Sequence, residues 1–177
     1  MKKIFKYLLL LLVILLVGVA VYCWQKTRPE GQAADYKNIA YMIEGESVLL
    51  HDGVAEVEAA PGSATKITTR YFGNEARGDF NGDGRQDVAF LITQDGGGSG
   101  TFYYLVCALG EANGYIGTNA IFIGDGIAPQ TTAFNNGEII VNYVGRKPEE
   151  PMSATPSVGT TKYFKVLGNS LTEQSNQ

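Results

Sequence analysis

Nine consecutive residues, Asp79-Phe80-Asn81-Gly82-Asp83-Gly84-Arg85-Gln86-Asp87, place oxygen-bearing side chains at the first, third, fifth and ninth positions. Calcium is a hard cation that takes six to eight oxygen ligands at about 2.3–2.6 Å, and alternate residues of a curled loop can aim their oxygens at one point. Gly84, at the sixth position, permits the sharp bend such a loop needs, and Arg85, at the seventh, offers its backbone carbonyl. Asp79, Asp83 and Asp87 held so close repel one another unless a cation lies between them. The plainer use of the same residues is an Asn/Asp/Gly turn, which those types favour on their own. A turn does not require four liganding side chains at this spacing, so the stretch is expected to bind calcium through Asp79, Asn81, Asp83, Arg85 and Asp87.

The spacing also limits the kind of loop. An EF-hand places a bidentate Glu at the twelfth position; here that position is Phe90, which excludes it, and a dockerin-type loop fails at the same place. A ninth-position Asp followed at once by the apolar run Val88-Ala89-Phe90-Leu91 resembles the calcium loops of FG-GAP and VCBS repeats, which read D-x-(D/N)-G-D-G-x-x-D before a strand. The resemblance implies side-chain oxygens from Asp79, Asn81, Asp83 and Asp87 and a carbonyl from Arg85. Those families build propellers from several copies and this chain carries one, over about residues 78–92, so a calcium loop is implied and a propeller is not. The segments Arg70–Glu75, Gly98–Tyr104 and Arg146–Met152 are also similar to a group of bacterial exported proteins without assigned activity.

Other chemistry is thinly represented. His51 is the only histidine and sits beside Asp52-Gly53, a turn signal, so it reads as a turn residue and not as the base of a nucleophile site. Gly97-Gly98-Ser99-Gly100 lacks the spacing of a nucleophile elbow. Neither a Walker A loop nor a dinucleotide fingerprint occurs. Glu44, Glu46, Glu56, Glu58, Glu75 and Glu138 are eligible for an acidic pair of the glycoside-hydrolase kind, but the fold and not spacing brings such pairs together. Tyr71, Tyr103 and Tyr104 suit either a sugar-stacking platform or cross-strand packing, and packing is the plainer use.

The elements that position these residues are β-type runs broken by Gly, Asn, Asp and Pro. Ser47–Leu50, His51-Asp52-Gly53 and Val54–Ala59 read as a hairpin, followed by a turn at Ala60–Ser63 and a strand at Lys66–Phe72. Val88–Thr93 and Thr101–Leu109 are the strongest strand candidates. Asn113-Gly114 marks a hairpin turn, and Ala120–Ile123, Glu138–Tyr143 and Lys162–Leu167 continue the pattern. A short helix is expected at Tyr36–Tyr41. Gly145–Gly159, with three prolines, reads as a stiffened loop crossing the sheet, with a partner-binding loop as the alternative. The fold class is therefore mostly β: a compact antiparallel sandwich or partly closed barrel, with an N-terminal transmembrane helix.

That helix is expected from Tyr7–Trp24, an apolar run of the length that spans a bilayer, preceded by Lys2, Lys3 and Lys6. Gly18 and Ala20 leave a cleaved signal segment open, and Cys23 leaves lipidation open; each route exports the C-terminal domain. The chain divides into an anchor or signal segment over 1–24, a linker over 25–35, an extracytoplasmic β-rich domain over 36–169 and a flexible tail over 170–177. Beyond residue 30 the chain carries nine basic against seventeen acidic side chains, which excludes a nucleic-acid binder, because phosphate neutralisation supplies most of that affinity. Cys107, in an apolar run, reads as a small buried hydrophobe. The expected function is a non-catalytic, membrane-tethered extracytoplasmic module, stabilised by one calcium ion and binding an envelope protein or glycan. The alternatives are an envelope hydrolase using an acidic pair and a structural or assembly accessory protein.

Overall fold

The computed structural model describes residues 35–175, so the Tyr7–Trp24 segment and almost all of the linker lie outside the described residues. Among the described residues no helix is long and apolar enough to cross a membrane.

A 3₁₀ turn at Tyr36–Asn38, capped by the Asp35 carboxylate on the Lys37 amide, stands where a short helix was expected. The chain then extends into β1 (Ala40–Ile43) and β2 (Glu46–Leu49), an antiparallel pair. A six-stranded sheet comes next, made of β3 (Val54–Glu58), β4 (Lys66–Gly78), β5 (Asp87–Asp95), β6 (Phe102–Glu111), β7 (Gly114–Gly117) and β8 (Ile121–Asp125). Its order is β3-β4-β5-β6, with β7 and β8 pairing successive parts of β6. The third sheet, in the order β12-β11-β10-β9, contains β9 (Ala128–Asn135), β10 (Glu138–Gly145), β11 (Val158–Leu167) and β12 (Ser170–Gln174). All three sheets pair antiparallel and none closes into a barrel, which removes the barrel alternative.

β5 explains the layering. Its residues Val88 to Ile92 are all fully buried, because successive side chains point to opposite faces and both faces are covered. Ala89 and Leu91 pack with Ile139, Val141, Phe164 and Leu171 of the four-stranded sheet. Val88, Phe90 and Ile92 pack with Tyr41, Ile43, Val48 and Leu50 of the β1–β2 region. The six-stranded sheet is therefore covered on both faces, by the four-stranded sheet on one and by the β1–β2 hairpin on the other.

Three expectations change. The Asp52-Gly53 turn does not join two paired strands of one hairpin: β2 pairs with β1 through Glu44-Gly45, and β3 pairs with β4. Asp52-Gly53 instead carries the chain between sheets, with a single bridge from His51 to Val54. The tail expected at 170–177 is a strand over Ser170–Gln174, because Leu171 is buried in the core and Asn119 clamps its amide and carbonyl at 2.8 and 3.0 Å. The proline-rich stretch after Gly145 does not cross a sheet. It closes the β10–β11 hairpin, and Arg146 fastens it by donating to the Ala154 and Asp125 carbonyls.

Candidate functional site

The Asp79–Asp87 loop leaves β4 at Gly78 and enters β5 at Asp87. Gly78 lies against the Phe134 ring, where a Cβ would collide, and Phe80 stacks on Phe134 at 4.8 Å between centroids. The loop base is thus pinned on the four-stranded sheet. Gly82 and Gly84 take φ of +80° and +83°, the left-handed region that glycine enters without a Cβ penalty. The bend expected at the sixth position is present.

Asp79 organises the turn. Its Oδ1 accepts the Gly82 and Asp83 amides at 2.8 and 3.0 Å, and its Oδ2 accepts the Gly84 amide at 2.8 Å. Asn81 Oδ1 accepts the same Asp83 amide at 3.0 Å, so the oxygens of Asp79 and Asn81 converge on one point. Asp83 Oδ1 accepts the Arg85 amide at 2.8 Å, while its Oδ2 meets the Arg85 guanidinium at 3.1 Å. The Arg85 amide, helped by Asn81 and by the guanidinium, holds the Asp83 carboxyl below its ordinary range. The Arg85 side chain is about half exposed (47%), so this pair is a weak surface contact.

Asp87 behaves differently from the other loop carboxylates. It is fully buried, its Oδ2 accepting the Phe80 amide and its Oδ1 the Gly110 amide, both at 2.7 Å. Burial raises its pKa, the two amides oppose that, and the charges of Asp83 and Asp79 raise it further. Asp87 therefore fastens the loop to β6. A Cβ on Gly110 would stand 2.6 Å from the Gln86 carbonyl, so this approach requires glycine. Among the described residues no group of three or more His, Cys, Asp or Glu side chains is gathered as a metal site. As donors, Asp79, Asn81, Asp83 and the Arg85 carbonyl suit a hard cation, because all are oxygens.

A second constellation was not foreseen. Within β4 the backbone bulges at Gly73 and Asn74 (φ +106° and +56°), and the register against β5 shifts on both sides. The bulge re-aims Glu75. Its Oε1 accepts the Tyr36 and Tyr71 hydroxyls at 2.6 and 2.7 Å, and its Oε2 accepts Arg77 at 2.8 Å. Burial pushes the Glu75 carboxyl up, but the three donors together outweigh it and hold it below its ordinary value. Lys37 lies over the Tyr71 ring at 4.0 Å, completing a network that fixes the first described residues to the sheet. The sign available in sequence was the Gly73-Asn74 pair inside a strand pattern, which marks a bulge.

The remaining candidates are dispersed. Glu56 and Glu138 pair with Lys66 and Lys165, and Glu58 accepts the Gly62 amide. Glu46 is exposed at the start of β2. Tyr71 and Tyr104 pack on the β1–β2 side of the central sheet, while Tyr103 packs on the opposite face against Phe72, so the three form no common platform. His51 and Ser99 are both exposed, in separate turns. Burial raises the Cys107 thiol well above its ordinary value, as an inert core residue requires. No protein family, curated protein or solved structure matches the chain.

Proposed function

We propose that the chain is a non-catalytic, extracytoplasmic binding module, tethered to the cell membrane by Tyr7–Trp24 and serving an envelope protein or glycan, with calcium ordering its Asp79–Asp87 loop. The observation that carries the calcium reading is the convergence of the Asp79 and Asn81 oxygens on the Asp83 amide, inside a bend made by two left-handed glycines. Asp79, Asn81, Asp83 and Asp87 would hold the ion by side-chain oxygens and Arg85 by its carbonyl, as in the FG-GAP and VCBS loops the sequence resembles. The ion would supply charge neutralisation, and Asp83 would exchange the Arg85 guanidinium for it. Asp87 would also seat the loop on β6 through the Phe80 and Gly110 amides. Extracellular calcium modules bind at about 10⁻⁴–10⁻³ M, so the site would be filled continuously outside the cell.

The alternative of an acidic-pair hydrolase is less well supported. Both Glu75 oxygens are occupied by three donors, and Asp87, the carboxyl with a raised pKa, is fully buried. Titrating calcium into the full-length chain in nonionic detergent by calorimetry tests the main reading. Saturable heat at millimolar calcium or below supports it, and no heat reduces the loop to an ordinary turn.

A further inference from the structure

The β1–β2 hairpin covers only part of the central sheet's face. Its tip, Glu44-Gly45, ends above Tyr104, and beyond it lies a cavity of about 330 Å³ lined by Glu44, Ile67, Gln94, Phe102, Tyr104 and Phe122. Three aromatic rings form its floor and wall. Phe122 stands 5.5 Å from the Tyr104 ring and 6.3 Å from Phe102. Phe102 and Phe122 remain 38% and 46% exposed, although they flank Tyr104, which is buried. Gln94 is held by its bond to Thr69 at 3.1 Å, and Ile67 supplies an apolar edge.

Glu44 is placed there at a cost. Its φ is +51° in a two-residue turn with Gly45 at +89°, a geometry for which Asn or Gly is the favoured first residue. A glutamate at positive φ is strained, and strain of this kind collects at functional positions. The Tyr104 hydroxyl donates to Glu44 Oε1 at 2.7 Å, holding the carboxylate at the wall of the cavity. Glu44 belongs to none of the ion pairs found among the described residues, while Lys66 and Arg70 of the neighbouring β4 are paired to Glu56 and Asp95.

We infer that this cavity binds a small organic ammonium ion, with Glu44 as counter-charge and Phe102, Tyr104 and Phe122 as the aromatic surround. Ring faces attract a cation through their quadrupole, and the carboxylate adds a full opposite charge. The volume falls at the small end of ligand pockets, which suits a compact ligand. The inference stands whether or not the Asp79–Asp87 loop takes calcium.

The test is ligand-detected NMR on the full-length chain in nonionic detergent, with choline as the cation and 3,3-dimethylbutanol as its uncharged isostere. Choline is expected to saturate near or below ~10 mM and the alcohol to bind about tenfold more weakly, the ratio one cation–π and carboxylate site supplies. Glu44→Gln should weaken choline about tenfold and leave the alcohol unchanged, and Phe122→Ala should weaken both. Near-ultraviolet circular dichroism matching the parent establishes that each variant is folded. Equal binding of choline and the alcohol, no binding of either, or undiminished choline binding by a folded Glu44→Gln chain overturns the inference.

Discussion

Asp87 Oδ1 accepts the Gly110 amide at 2.7 Å, joining the end of the oxygen-rich loop to β6 across 23 positions of sequence. With the Phe80 amide on Oδ2, this one buried carboxylate satisfies two main-chain donors that face no water. The loop is therefore shaped from two sides. Asp79 curls its outer arc and Asp87 holds its base.

Removing Asp87 should harm the fold with or without metal. Asp87→Ala leaves the Phe80 and Gly110 amides unpaired in the core, and each buried unsatisfied group costs about 1–3 kcal/mol. Chemical denaturation is expected to show a loss of about 2–5 kcal/mol in calcium and in chelator alike. A loss confined to calcium buffer would instead leave Asp87 as a ligand alone.

Arg85 is expected to compete with the ion. Its guanidinium sits on Asp83 Oδ2 at 3.1 Å, while its proposed ligand atom is the main-chain carbonyl. Arg85→Ala removes the competitor and keeps the carbonyl, so calcium affinity should rise several-fold in calorimetric titration. Weaker binding by this variant would place the Arg85 side chain on the stabilising side.

The apolar strands were legible and the polar network was not. Val88–Thr93 and Thr101–Leu109 stood out because both faces of β5 and β6 are buried, which turns alternation into continuous apolar runs. The inward aim of Asp87 was also available: counting back by two from Leu91 and Ala89 places it on the same core face. Asp52-Gly53 was a stronger turn signal than Glu44-Gly45, and it misassigned the partner of β2. Ala128–Asn135 escaped notice because β9 carries Pro129 and presents mostly half-buried or exposed side chains. Glu75 could not be singled out, since its partner Tyr36 lies 39 positions away and only the bulge brings them together.

Gly110 tests the close approach of β6 to the loop. In Gly110→Ala the new Cβ meets the Gln86 carbonyl at 2.6 Å, a main-chain atom that can move only with the loop. Overpacking of this kind costs about 1–3 kcal/mol. Thermal melting should record a lower midpoint, and an unchanged midpoint would mean that the loop yields freely.

The Glu75 network makes a prediction about acid. Tyr36, Tyr71 and Arg77 donate to Glu75 and together hold its carboxyl below the ordinary value, with Lys37 over the Tyr71 ring the other charge nearby. A depressed folded-state pKa contributes stability above the unfolded value of ~4.3, and that contribution is lost as pH falls through the folded value. Glu75→Gln should therefore lower stability at neutral pH and reduce the additional loss on acidification. Parallel pH–stability curves for the two proteins would contradict this.

The most direct test of the calcium account is thermal melting of the full-length chain and of Asp83→Ala, each in millimolar calcium and in chelator. The account predicts that calcium raises the parent's midpoint, that Asp83→Ala melts lower than the parent in calcium, and that the variant has the same midpoint in both buffers. Equal midpoints for both proteins under both conditions would contradict it and leave Asp79–Asp87 as a turn closed by its own amides.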